Sequence, residues 1–206
     1  MGKCIYRFRM LRNVVLAAGL FGLLSLTGCA SFYVDTATKE VPAEAYRKPA
    51  EPRPVQLVFE FQTKGVANAR ATEYLSAQVK DQVKGSGLFS EVADKPVEGS
   101  ALLSVVLNNV PLTDDAFGKG FVTGLTFGLA GSQVSDGYVC TLKYLAGPQA
   151  GAISKTTRHA IHTVMGAKEA PSNGTKMDSL EQAVRTMTKQ VVSAGLDELS
   201  RDPDFK

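Results

Sequence analysis

Apolar and polar residues alternate in a short run that begins after residue 54. The run reads Val-Gln-Leu-Val-Phe-Glu-Phe over residues 55–61, and a period of two is typical of a strand with one buried face. Apolar runs of similar character predict four further strands, over residues 88–92, 101–110, 137–145 and 153–165. The last of these has a polar middle, which indicates a solvated face or a position at the edge of a sheet.

Two longer segments repeat their apolar residues every three or four positions, which is the period of an amphipathic helix. The first covers residues 67–84 and has Gly85 where a helix-ending glycine would lie. The second covers residues 178–199 and opens with Ser179 and Gln182 at the spacing of a capping box. The predicted apolar stripes are Ala71, Leu75, Val79 and Val83 in the first helix, and Leu180, Val184, Met187, Val191 and Ala194 in the second.

The predicted order of elements is therefore β-α-β-β-β-β-α, which indicates an α+β fold. We expect two layers, with a mainly antiparallel sheet of about five strands and two long helices on one face. This single globular domain would cover residues 55–206 and contain a glycine-rich insert at 111–135. Residues 29–54 contain four prolines and little apolar periodicity, so we interpret them as a flexible tether.

The first 28 residues have the pattern of a cleaved export signal. Four basic residues precede an uncharged apolar run over residues 14–26, which at ~1.5 Å per residue is too short to cross a bilayer as a helix. The run ends in Leu26-Thr27-Gly28-Cys29, which resembles the lipobox of bacterial lipoproteins. An uncleaved N-terminal anchor is the alternative.

The lipobox resemblance implies cleavage before Cys29 and attachment of a diacylglycerol to its sulfur. The mature protein would then be bound to a membrane through this lipid. The next residue is Ala30 and not Asp, which by resemblance to lipoprotein sorting in enteric bacteria implies the periplasmic face of the outer membrane. The order of elements in the domain is similar to the periplasmic α/β domain of curli-channel and transport-auxiliary lipoproteins.

Glycines recur at four-residue spacing in the insert. Gly120, Gly124 and Gly128 would share one face of a helix, with Phe121, Leu125 and Leu129 beside it. Three interpretations stay open: a segment packed on its own domain, a membrane-contacting segment, and a self-association surface with small residues at its centre. The spacing of the glycines does not match a dinucleotide-binding loop or a P-loop.

The near-zero net charge of the mature chain excludes a strongly basic surface of the kind that binds nucleic acid. Cleavage would remove four basic residues, leaving 19 Lys and Arg against 20 Asp and Glu, whereas phosphate binding needs clustered positive charge.

Cys140 would be the one unmodified cysteine, and its apolar surroundings favour a core residue over a nucleophile. His159 and His162 would lie on opposite faces of a strand, so we interpret them as polar-face residues and not as a metal pair.

Together these patterns predict a non-enzymatic envelope lipoprotein that serves as an accessory or assembly component. Its partner could be another envelope protein or further copies of itself. We expect no cofactor besides the lipid on Cys29. The alternative is a binding protein for an apolar ligand, with Phe121, Phe127 and Leu129 lining its pocket.

Overall fold

The structure, a computed structural model, describes residues 30–111, 133–147, 149–166 and 169–206. In these residues, eight strands form one mixed sheet and two long helices pack against it. The strands are β1 (Ala30–Asp35), β2 (Pro54–Thr63), β3 (Val66–Ala67), β4 (Glu91–Ala93), β5 (Ala101–Pro111), β6 (Gln133–Leu145), β7 (Ile153–Met165) and β8 (Gly174–Met177). The helices are α1 (Ala69–Gly85) and α2 (Leu180–Ser200), and a short 3-10 turn covers Ala43–Ala45.

The strands lie in the order β3-β2-β5-β6-β7-β1-β8, and β4 pairs with the start of β2. β2 runs parallel to both β4 and β5, whereas the other neighbouring strands are antiparallel. The α+β class, the mainly antiparallel sheet and the two helices that contact each other on one face agree with the sequence pattern. The predicted number of about five strands is wrong.

Each helix begins at a polar cap and buries one stripe. The Asn68 side chain accepts a hydrogen bond from the Ala71 amide at the start of α1, and Ser179 accepts one from the Gln182 amide at the start of α2. Each such cap contributes about 1 kcal/mol. Leu75, Val79 and Val83 of α1 are fully buried, as predicted, but Leu180 of α2 is 48% exposed.

Both helices cover the face of the sheet that carries the main core. Leu103, Val105 and Leu107 of β5 lie in this core, and so do Cys140 and Leu142 of β6. Gly195 lets α2 approach closely, because a Cβ atom there would lie 2.6 Å from Leu142 Cδ1. This contact fixes α2 against the centre of the sheet.

The largest correction concerns the predicted tether. Residues 30–35 form β1, which lies between β7 and β8 and buries Tyr33, Val34 and Asp35. Residues 36–53 also contact the folded part, since Val41 and Arg47 donate backbone hydrogen bonds to serine hydroxyls of α2. The prolines that suggested a tether follow β1 and do not interrupt it.

Three smaller predictions also need correction. β8 was overlooked because Gly174–Met177 is short and mostly polar. β7 is an edge over only part of its length, since residues 153–160, which include the polar middle, pair with β6 alone, whereas β1 also covers residues 161–165. The glycine with positive φ after α1 is Gly87 and not Gly85, which is the last residue of the helix.

Candidate functional site

The start of β1 is the described position nearest to the predicted lipid anchor. Ala30 follows Cys29 in sequence and pairs with Met165, the last residue of β7. β8 ends at Met177, which pairs with Phe32, and α2 begins three residues later at Leu180. We call this end of the domain, which carries Ala30, Met165 and Leu180, the anchor end. Cys29 itself lies outside the described residues.

The glycine-rich surface predicted in the insert also lies outside the described residues. This applies to Gly120, Phe121, Gly124, Leu125, Phe127, Gly128 and Leu129. The described residues on either side of the insert are Pro111 of β5 and Gln133 of β6, and Gln133 pairs with Val164 beside Met165. The three interpretations of this segment therefore remain predictions.

A groove of about 450 Å³ lies between the first turns of α1 and α2. Its apolar wall is formed by Phe61, Ala71, Leu75, Leu180 and Val184. Leu180 is partly exposed because it borders this groove and is not covered by the sheet. We call this feature the helix groove.

A stacked pair of side chains borders the helix groove. The Arg185 guanidinium lies 4.4 Å from the centre of the Tyr74 ring, and Arg185 Nε is 2.9 Å from Tyr74 Oη. Arg185 also forms an exposed ion pair with Glu181 at 3.4 Å. Exposed pairs of this kind contribute little to stability. They hold the Arg185 cation beside the oxygens of Tyr74 and Glu181, which both line the groove.

A buried carboxylate joins β1 to β7 on the sheet face opposite the helices. The Asp35 carboxylate accepts hydrogen bonds from the Ala37 amide at 2.7 Å and from Asn173 Nδ2 at 2.6 Å, and it lies 3.1 Å from His162 Nε2. Asp35 and His162 are each 1% exposed. His162 is therefore a buried structural partner, and its interpretation as a polar-face residue is wrong.

His159 is buried on the opposite face of β7, where it meets α2. Its Nδ1 accepts a hydrogen bond from the Ala160 amide at 2.8 Å, so Nε2 carries the proton that is donated to Gln190 Oε1 at 2.7 Å. Burial lowers the pKa of His159 below its ordinary value. The neutral ring is thus held by hydrogen bonds, and the prediction that the two histidines face opposite sides is confirmed. The interpretation of His159 as a polar-face residue is wrong as well, since the side chain is fully buried.

Cys140 is a core residue, as its surroundings in the sequence predicted. It is fully buried in β6, and burial raises the pKa of its thiol to about 12. A thiolate is the form that attacks electrophiles. At neutral pH the thiol is protonated and enclosed, so this position does not provide a nucleophile.

Within the part of the chain that the structure describes, no three His, Cys, Asp or Glu side chains are grouped so that they could hold a metal ion. No helix in the described ranges has both the length and the apolar character needed to cross a bilayer.

A second cavity, of about 520 Å³, lies at the opposite end of the domain beside the C-terminus. Its lining includes four basic side chains and two acidic ones: Arg47, Lys48, Arg53, Lys206, Glu51 and Asp202. Lys155 pairs with Asp202 at 2.7 Å. Charges of both signs give this cavity no single-sign field that would select an anion or a cation.

Sequence patterns did not reveal the helix groove or the Asp35 cluster. The groove requires the two helices to start side by side, which becomes visible once the strand order is known. Asp35 lies in a segment whose prolines and charges resemble those of a linker. Tyr33 and Val34, directly before Asp35, were the local sign of a strand.

No protein-family model matches the chain, and no curated protein sequence does. Among solved structures, the chain is similar to a minor lipoprotein from Acinetobacter baumannii, with 12% identity, 74% of this chain and 92% of that chain covered, and a TM-score of 0.35. It is similar to a PelC dodecamer from Paraburkholderia phytofirmans, with 12% identity, coverage of 83% and 99%, and a TM-score of 0.33. A neuraminyllactose-binding hemagglutinin homologue from Helicobacter pylori has 14% identity, coverage of 77% and 86%, and a TM-score of 0.39.

Proposed function

We propose that the chain is a lipid-anchored protein of the bacterial envelope that acts as a non-enzymatic accessory or assembly component. One observation carries this proposal: Leu26-Thr27-Gly28-Cys29, which resembles a lipobox, follows a basic segment and an uncharged apolar run. Ala30, the next residue, is paired with Met165, so a lipid on Cys29 would be attached directly beside the sheet.

The state of the reactive side chains supports a non-enzymatic role. Cys140 is protonated and enclosed, and His159 and His162 are both engaged in buried hydrogen bonds. A general base or nucleophile has to reach a substrate. These three residues instead stabilise the sheet and its contact with α2.

Mass spectrometry of the protein purified from membranes tests the lipid anchor. We expect an N-terminus at Cys29 that carries a diacylglycerol, and loss of this modification in Cys29→Ser. An intact signal segment in the wild-type protein would contradict the proposal.

The outer membrane is the location that we propose, because the residue after Cys29 is Ala30. Density separation of the two membranes should place the wild-type protein in the outer-membrane fraction. Ala30→Asp is a suitable variant because Ala30 is exposed and its side chain has room to change. In a bacterium that sorts by Asp at this position, the variant should move to the inner membrane.

A thiol probe tests the least favoured role, an enzyme that uses Cys140. In a protein of residues 30–206, Cys140 is the one remaining cysteine. We expect no modification by a maleimide at pH 8 in the folded state and complete modification in denaturant. Rapid modification of the folded protein would contradict the non-enzymatic assignment.

The helix groove supports a second candidate, binding of an apolar ligand. It offers a concave wall of Phe61, Leu75, Leu180 and Val184 with polar side chains at its border, which is the usual composition of small-molecule sites. A hydrophobic dye should bind residues 30–206, and Leu180→Gln should weaken that binding at least several-fold. Val97→Gln is the matched control, since Val97 is also 40% exposed but lies far from the groove. Equal binding by both variants would remove this candidate.

A further inference from the structure

The connection between the predicted lipid and the sheet contains no linker. Ala30 is already paired with Met165, and β1 continues between β7 and β8. Consecutive Cα atoms lie 3.8 Å apart, and directly opposed residues of antiparallel strands lie about 4.5–5.5 Å apart. The Met165 backbone is therefore within about 10 Å of the residue that would carry the lipid.

From this geometry we infer that the anchor end of the domain is a lipid-contact surface, pressed onto the headgroup layer of the membrane. This inference rests on the proposed lipidation of Cys29. The headgroup layer of each leaflet is roughly 5–7 Å thick. A lipid whose acyl chains lie in the hydrocarbon core thus places the end of β7 at the headgroup layer. A flexible tether would instead have allowed the domain to lie away from the membrane.

The exposed side chains of the anchor end suit such a contact. Met165 is 57% exposed at the end of β7, and Leu180 is 48% exposed at the start of α2. A long thioether side chain and a leucine can enter the boundary between headgroups and acyl chains, where each buried methylene contributes ~0.8 kcal/mol. The partner that fits this surface is the phospholipid layer in which the lipid on Cys29 would lie, and not a defined protein pocket.

Lipid-dependent quenching tests the inference on the complete lipidated protein. A fluorophore would be placed on Met165→Cys, on Leu180→Cys and, as the matched control, on Val97→Cys, which is exposed in the loop before β5. Cys140 would stay unlabelled because it is buried. In vesicles that contain quencher-labelled headgroups, we expect at least three-fold stronger quenching at positions 165 and 180 than at 97.

Equal quenching at the three positions would overturn the inference, and so would weaker quenching at 165 than at 97. Mass spectrometry of the same samples measures lipidation separately. An unlipidated protein would contradict the proposed function, whereas a lipidated protein with an unquenched label at 165 would contradict only the lipid-contact surface. Thermal melts of each labelled variant establish that the fold is retained.

A linker insertion tests whether the short connection sets the contact. Six Gly and Ser residues between Cys29 and Ala30 would add up to about 20 Å of reach. Vesicle binding should stay unchanged because the lipid is retained, and quenching at 165 should fall at least two-fold. Unchanged quenching would overturn the role of the short connection.

Discussion

Asp35 holds the first strand to two segments that are distant in sequence. Its carboxylate lies within hydrogen-bond distance of His162, 127 positions away, and of Asn173, 138 positions away. Because Asp35 and His162 are buried and Asn173 is partly buried, removal of the carboxylate takes an acceptor from polar groups that water reaches poorly. Asp35 therefore adds side-chain hydrogen bonds to the backbone pairing that attaches β1 to β7 and β8.

Asp35→Ala should lower the free energy of unfolding by about 3 kcal/mol, since it removes the carboxylate that accepts from several groups in a buried cluster. Urea unfolding of residues 30–206 measures this change. Glu73→Ala, on the exposed side of α1, is the control and should change stability by less than about 0.5 kcal/mol. Similar values for the two variants would show that the Asp35 cluster contributes little.

His159 should give the domain a pH dependence below neutrality. Burial lowers its pKa in the folded state, whereas the unfolded value is about 6.5. The unfolded chain therefore binds more protons below pH 6.5, so stability is complete above this pH and declines as the pH falls. We expect a shallower decline between pH 6.5 and 5 in His159→Gln, measured by urea unfolding at each pH. A parallel decline in wild type and variant would contradict this assignment.

At the scale of elements, two helical glycines have opposite surroundings. Gly195 of α2 faces Leu142, and an added Cβ would lie 2.6 Å from its Cδ1. Gly85 at the end of α1 has no atom within 4 Å of an added Cβ, and its φ is not positive. The same substitution should therefore have opposite effects at the two sites.

Gly195→Ala should destabilise the domain by about 1–2 kcal/mol, because overpacking against a buried leucine outweighs the gain in helix propensity. Gly85→Ala should be neutral or stabilise by up to about 1 kcal/mol. Denaturant unfolding compares the two, and Leu142→Ala tests the cause. In that background, Gly195→Ala should cost at least 1 kcal/mol less, whereas an unchanged cost would exclude the contact with Leu142.

Periodicity predicted the long elements of this fold because each of them buries one regular face. β5, β7, α1 and α2 lie within two residues of their predicted ends. β3 was not predicted because it has only two residues, although its partner β2 directly precedes it. β1 and β8 were not predicted because partners far along the chain stabilise them. The helix groove could not be predicted for the same reason, since it depends on the spatial order of strands.

At the scale of the whole molecule, β1 makes residues 30–54 part of the folded domain. A protein that starts at Val55, the predicted beginning of the domain, lacks the strand between β7 and β8. It would expose the edge of β7 and leave His162 and Asn173 without Asp35. The N-terminal boundary therefore decides whether the sheet is complete.

We expect residues 30–206 to give a folded protein with a cooperative thermal transition. Residues 55–206 should aggregate or melt without cooperativity, because an unpaired strand edge and a buried polar cluster become exposed. Circular dichroism and size-exclusion chromatography compare the two proteins. A cooperative and monomeric 55–206 protein would show that β1 is dispensable.

The position of β1 also determines how the domain bears mechanical load. In a chain held through Cys29, as proposed, a force between membrane and domain would enter the sheet at Ala30, the first described residue of β1. β7 and β8 flank β1 with registers of five and four residue pairs. A pull along the strand loads these pairs together in shear, whereas a pull across it would break them one after another. A pull through the proposed anchor at Cys29 would therefore load the pairs on both edges of β1 together.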